Sequence, residues 1–217
     1  MNAVITTIFI LASFVLPGRA YPQSQVIFDD KMLLDGYAEK YSLEPKEILL
    51  EMIKDDTLAP YKTAAAIRVF KEKFVPQIVY REKAVLEKIL LRRLARTDSS
   101  FVEIEVMHTL CLMDRYKYFP SLVPDLLQKL DHYNKTVNEI AYTSLKNIID
   151  TGHNRPREAR LVFNTLRKMF FLSRRRLQDV KDPDSKLTNK LDILKWSIKI
   201  LGTQELRKLP SEVISLL

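Results

Sequence analysis

Residues 136–149 read TVNEIAYTSLKNII, and residues 100–113 read SFVEIEVMHTLCLM. Val137, Ala141, Leu145 and Ile148 recur at intervals of four, four and three, the spacing of one helix face. Val102, Val106, Leu110 and Met113 make the same series 35 residues earlier. Leu187, Leu191, Leu194 and Ile198 give a similar series about 50 residues after Val137, and Tyr61, Ala65 and Val69 stand 41 before Val102, Val106 and Leu110. Helical seams that return every mid-thirties to forties of residues are the sign of a helix-pair repeat, in which each unit buries its apolar face on its neighbours.

Working outward, the same period predicts helices near 28–40, 43–55, 60–74, 77–96, 100–114, 120–132, 136–151, 156–174 and 186–201, with a short one at 210–216. The separators are short and polar, among them Asp55-Asp56, Thr97-Asp98-Ser99, Tyr116-Lys117-Tyr118 and Thr151-Gly152-His153-Asn154. Ser100 with Glu103, and Thr136 with Glu139, fit the capping box, in which the hydroxyl accepts from the third amide and the Glu reaches back. Gly152 and Gly202 each follow a helical run, where a left-handed residue is wanted. Pro120 and Pro156 suit helix starts, which tolerate a missing N–H. The polar stretch Leu177 to Ser185, with Pro183, explains the longer last step as an enlarged loop.

Leu130-Asp131 followed by Val137, Ala141, Leu145 and Ile148 resembles the HEAT repeat family, which places an Asp at the turn and then Val, Ala and Leu on the second helix. The likeness is best over 119–150 and extends loosely over 43–202. The family often carries Arg after the Val; here Asn138 stands there, so the Asp–Arg link that stiffens neighbouring repeats is not expected from this pair. The resemblance implies an all-α, right-handed α-solenoid of about four helix pairs. It implies a binding habit rather than a reaction. The expected layout is an export signal at 1–20, a lead-in helix at 21–42, the repeat domain at 43–202 and a C-terminal cap at 203–217.

Composition agrees with a globular helical chain. Of 217 residues, 47% are hydrophobic and 29% charged, and only four are glycine, too few for a fold rich in tight turns. Val4 to Leu16 is an apolar run, Pro17 stops it, and Gly18-Arg19-Ala20 places small residues at −3 and −1 of a cleavage after Ala20. This predicts a secreted or periplasmic protein; an uncleaved N-terminal anchor is the alternative, although the run is short for a membrane span. Cys111 is the single cysteine, so an exported chain would hold itself together without an internal disulfide.

Chemistry-bearing motifs are few. The histidines His108, His132 and His153 form no tight metal spacing. His108 and Cys111 share one helix face, but two ligands do not make a zinc site. Asp29-Asp30, Asp55-Asp56 and Glu103 with Glu105 are acidic pairs, of which Asp55-Asp56 reads as turn chemistry and Glu103 as a cap. Gly-rich phosphate loops and nucleophile elbows are missing. No catalytic residue, cofactor or metal is expected. Asn134-Lys135-Thr136 forms a glycosylation sequon, meaningful only on a eukaryotic secretory route.

Two surfaces stand out. Residues 155–176 hold Arg155, Arg157, Arg160, Arg167, Lys168, Arg174, Arg175 and Arg176 against Glu158 alone, in a chain of net charge +8. That asymmetry points to an anionic partner, such as a membrane surface or polymer; a solvated face is the alternative, with Arg174 to Arg176 complementing a helix end. The second surface is an apolar stripe: Ile67 and Phe70; Ile104, His108 and Cys111; Ile193, Trp196 and Ile200. It is either core packed against two neighbours or a groove that receives a peptide or helix. The leading expectation is therefore an exported, non-enzymatic scaffold that binds a protein. A peripheral envelope protein held by 155–176 is the second. Some HEAT-like proteins are DNA glycosylases, and Trp196 with the Arg cluster would serve such a reading, against which the export signal argues.

Overall fold

The computed structural model describes residues 30–150, 155–178, 180 and 182–217. The expected signal at 1–20, and Gly152 and His153 of the expected turn, lie outside the described residues. Among the described residues all regular structure is helical. The helices are α1 (Asp30–Tyr41), α2 (Lys46–Lys54), α3 (Pro60–Lys73), α4 (Tyr80–Arg96), α5 (Ser100–Met113), α6 (Arg115–Gln128), α7 (Lys135–Ile149), α8 (Pro156–Leu177), α9 (Ser185–Leu201) and α10 (Ser211–Ile214). Short 3₁₀ turns cover Val75–Gln77, Lys129–Asp131 and Thr203–Lys208. No helix of the described residues is long and apolar enough to cross a membrane.

The odd-numbered helices contact one another in sequence, α1 on α3, α3 on α5, α5 on α7 and α7 on α9. The even-numbered ones lie against them, with α2 on α3, α4 on α5, α6 on α5 and α7, and α8 on α9. The recurrent seams are buried: Val102, Leu110, Val137, Ala141, Leu145, Ile148 and Leu194 are all closed to solvent. On α8, Ala159, Val162, Phe163, Leu166 and Phe170 are likewise fully buried and form one stripe of helical period. One continuous apolar cluster runs from Leu34 to Val213. The central helix α5 touches α3, α4, α6 and α7, and its apolar residues face several ways because it has neighbours on several sides.

Two local expectations are corrected. The predicted separator Tyr116–Tyr118 is instead the first turn of α6, and Asp114 alone parts α5 from α6. The Asp114 carboxylate accepts from the Lys117 amide at 3.1 Å and starts the helix. Tyr118 and Phe119 are then buried with Val123, Leu126 and Leu127. Pro120 and Pro124 therefore lie inside the helix. Each forfeits one backbone bond, and burial of those five side chains outweighs that loss.

The capping boxes are also displaced. Ser99, not Ser100, flanks α5, with no side-chain cap, while Glu103 pairs with Lys129 instead of reaching back. At α7 the cap is Asn134, whose Oδ1 accepts from the Thr136 and Val137 amides at 2.9 and 3.2 Å. The Thr136 hydroxyl is left without that role. Gly202 ends α9 at φ +100°, a backbone that glycine adopts at no steric cost. A side chain there would also strike Gln204.

The link lacking an Arg at 138 is made differently. Asn138 is buried; its amide donates to the Leu130 carbonyl, and its oxygen accepts from Asn189 of α9 at 3.0 Å. Beside it Lys190, also of α9, pairs with Asp131. The Asn138–Asn189 amide pair ties α9 to α7, and the Lys190–Asp131 pair ties it to the turn before α7.

Candidate functional site

Helical spacing brings four polar side chains together between α3 and α5. Arg68 and Lys71 are three apart on α3, and Glu105 and His108 are three apart on α5, so each pair shares a helix face. The Glu105 carboxylate is 1% exposed. It accepts from Arg68 Nε at 2.8 Å and from Lys71 Nζ at 2.7 Å. Arg68 also donates through Nη1 to Asp35 of α1 at 2.7 Å. Lys71 donates as well to His108 Nδ1 at 3.0 Å. Burial by itself would raise the Glu105 carboxyl, but the Lys71 and Arg68 cations reverse that and hold it at about 2. Burial, reinforced by the Lys71 charge, pulls the His108 imidazole down to about 3.

His108 is therefore neutral at ordinary pH. Since Nδ1 accepts from Lys71, the ring proton sits on Nε2. That Nε2–H is buried and has no hydrogen-bond partner. Such an orphan costs stability and calls for an explanation.

These residues form part of a cavity of about 280 Å³. Its walls come from α1, α3, α5 and α7, with Glu139, Thr143, Ser144 and Asn147 contributed by α7. The far walls are joined at their N-terminal ends. Asn134 at the start of α7 donates to Asp30 at the start of α1 at 2.6 Å, and Tyr61 of α3 donates to the other Asp30 oxygen, also at 2.6 Å. One carboxylate thus gathers three helices around the cavity, from chain positions 104 residues apart in the widest case.

The arrangement holds fixed charges and one unpaired donor, the buried His108 Nε2–H. Among the described residues no group of three His, Cys, Asp or Glu side chains could hold a metal ion. Cys111 is buried, and burial pushes its thiol to about 12, far from a reactive thiolate.

The apolar stripe is mostly core. Ile67, Phe70, Ile104, Cys111 and Ile193 are each no more than 2% exposed, because α3, α5 and α9 have helices on more than one side. Of the groove residues named from sequence, His108 alone lines the polar cavity. Trp196 on α9 is half-buried against the core and does not join it. Arg68 and Lys71 escaped the sequence reading because each looks like an ordinary charged helix residue, and Glu105 was noted only as half of an acidic pair with Glu103. The available signal was the i, i+3 pairing of Arg68 with Lys71 and of Glu105 with His108 on neighbouring seams.

The basic residues lie on α8 and at its start, away from the cavity, and acids pair with three of them, two from distant positions. Arg155 pairs with Glu158 at 3.1 Å, Arg160 with Glu205 at 2.7 Å and Arg174 with Glu212 at 2.8 Å. Glu158 also takes Arg115 of α6. A count along the segment could not show Glu205 and Glu212 folding back onto it. Arg157, Arg167, Lys168, Arg175 and Arg176 have no ion pair among the described residues. No protein-family model matches the chain, and no curated protein or solved structure is significantly similar to it.

Proposed function

We propose that this chain is an exported, non-enzymatic scaffold of about four HEAT-like helix pairs in a right-handed solenoid, and that it binds a partner protein across α1, α3, α5 and α7. The pairs would be α2 with α3, α4 with α5, α6 with α7 and α8 with α9, preceded by α1. Their seam positions recur in register, which supports the repeat. The observation that carries the binding reading is the polar cavity. A surface of four helices meets there over buried fixed charges, with the His108 Nε2–H unpaired. Its complement is a polypeptide segment that offers carbonyl or carboxylate oxygens to the basic side of the cavity, where Arg68 and Lys71 lie. Rim carboxylates Asp35, Glu72 and Glu139 would disfavour a strongly acidic occupant at the mouth, so a backbone carbonyl or a single acidic side chain fits best.

Thr143→Arg tests this reading. Thr143 is exposed at the cavity mouth on α7, so an Arg fills the opening without touching the ion network. The variant should keep the wild-type melting temperature and fail to retain a partner that the wild-type chain retains from extracytoplasmic extract. Equal retention by both chains would remove the cavity from the interface. Export is tested separately: the native protein should begin at Tyr21, and a soluble protein that retains Met1 would refute cleavage.

A further inference from the structure

The outward face of α8 carries an apolar pair in a basic setting. Leu172 is 90% and Phe171 50% exposed. Arg167, Lys168 and Lys208 line the same shallow surface, and Arg175 follows one turn on. Helical spacing puts Lys168, Phe171, Leu172 and Arg175 on one side of the helix, opposite the buried Val162, Leu166 and Phe170. Lys208 arrives from the turn after α9, so the setting is a product of the fold and not of one segment.

We propose that this face of α8 docks on an anionic lipid bilayer, with Phe171 and Leu172 entering the headgroup boundary and Arg167, Lys168 and Arg175 meeting lipid phosphates. The occupant follows from the combination. The cations are complementary to any polyanion. A soluble acidic polymer, however, offers nothing to two protruding hydrocarbon side chains, whereas the boundary of a bilayer takes them out of water. Each surface cation contributes through the negative potential of the lipid, and the apolar pair adds contacts that salt does not screen. The pairs that neutralise Arg155, Arg160 and Arg174 lie to the sides, and Lys208 shares Glu205 with Arg160; Arg167, Lys168 and Arg175, nearest Leu172, have no ion pair among the described residues. This surface is separate from the polar cavity, so the chain could hold a protein on one face and lie on a membrane by another.

The test is co-flotation of the full chain with vesicles of phosphatidylcholine alone and of equal parts phosphatidylcholine and phosphatidylglycerol, beside heparin as a soluble polyanion. Three proteins are compared: wild type, Phe171→Ser/Leu172→Ser and Lys168→Glu/Arg175→Glu. The apolar run 4–16 is common to all three, and what it contributes is read from the binding of each to phosphatidylcholine alone and subtracted. Wild type should prefer the phosphatidylglycerol vesicles. The serine variant should bind them roughly tenfold or more weakly, as loss of two partly buried apolar side chains implies, with heparin binding unchanged. The charge-reversed variant should lose the preference for anionic lipid. Equal binding of wild type and the serine variant to phosphatidylglycerol vesicles would overturn the proposal, as would no preference for anionic lipid. Heparin binding by wild type combined with serine-insensitive vesicle binding would assign the surface to acidic polymers instead.

Discussion

The Lys71 ammonium donates to His108 Nδ1 across 3.0 Å while it also holds Glu105 at 2.7 Å. A neutral imidazole, a carboxylate and an ammonium are thereby locked together between α3 and α5. The network joins two neighbouring seams and forms part of the cavity wall, so changes in it should read out in both stability and binding.

Glu105→Gln should destabilise the fold by about 3–5 kcal/mol, because it leaves the buried Lys71 charge uncompensated. Urea unfolding at neutral pH measures this as a lower midpoint with an unchanged slope. The double variant Glu105→Met/Lys71→Met should be more stable than Glu105→Gln alone, since it removes both charges. A double variant as damaged as the single one would mean that packing, not charge, sets the cost.

Stability should fall as pH drops below the ordinary His value. The His108 pKa is depressed from 6.5 to about 3, so between these limits the unfolded chain binds a proton that the folded chain does not. Stability then rises with pH across that window. Glu105, depressed from 4.5 to about 2, contributes stability present above its unfolded value and lost as pH falls toward 2, which steepens the lower end. Burial also lowers His132, so the informative comparison is wild type against His108→Gln. The glutamine oxygen can still accept from Lys71 but cannot titrate. Its stability loss between pH 6.5 and 4.5 should be roughly 2 kcal/mol smaller than that of wild type. Parallel curves would show that His108 is protonated in the fold.

Asn134→Ala should cost about 1–2 kcal/mol, since it removes the cap of α7 and the tie to Asp30 together. Thr136→Ala should change the thermal midpoint little. The reverse order would restore the capping box centred on Thr136. The Asn134 amide nitrogen already donates to Asp30, so the sequon should remain unmodified in the folded protein; a glycan on Asn134 would show that modification precedes folding of this corner.

Most helices and their buried faces were legible because the seams depend on period alone: Val137, Ala141, Leu145 and Ile148 announce one face, and that face is closed. The start of α6 was not legible. Proline rules put Pro120 at a helix start, and only the tertiary burial of Tyr118 and Phe119 carries the helix through it. The cavity was nearly invisible. His108 was singled out, but for an apolar groove, because nothing local in the sequence brings Lys71 to its ring or Asp30 to Asn134. The charge on 155–176 was visible, whereas its partial neutralisation by Glu205 and Glu212 depends on how the C-terminal turn folds back.

The most direct test of the central claim is site-specific photocrosslinking in the native host, with a photoreactive residue at Asn147, exposed on α7 beside the cavity, or at Leu91, which is 40% exposed on α4. Partner binding across α1, α3, α5 and α7 predicts one discrete protein adduct from position 147, lost when Thr143→Arg fills the opening, and no such adduct from position 91. The same adducts from both positions, or none from position 147 while position 91 yields one, would contradict it.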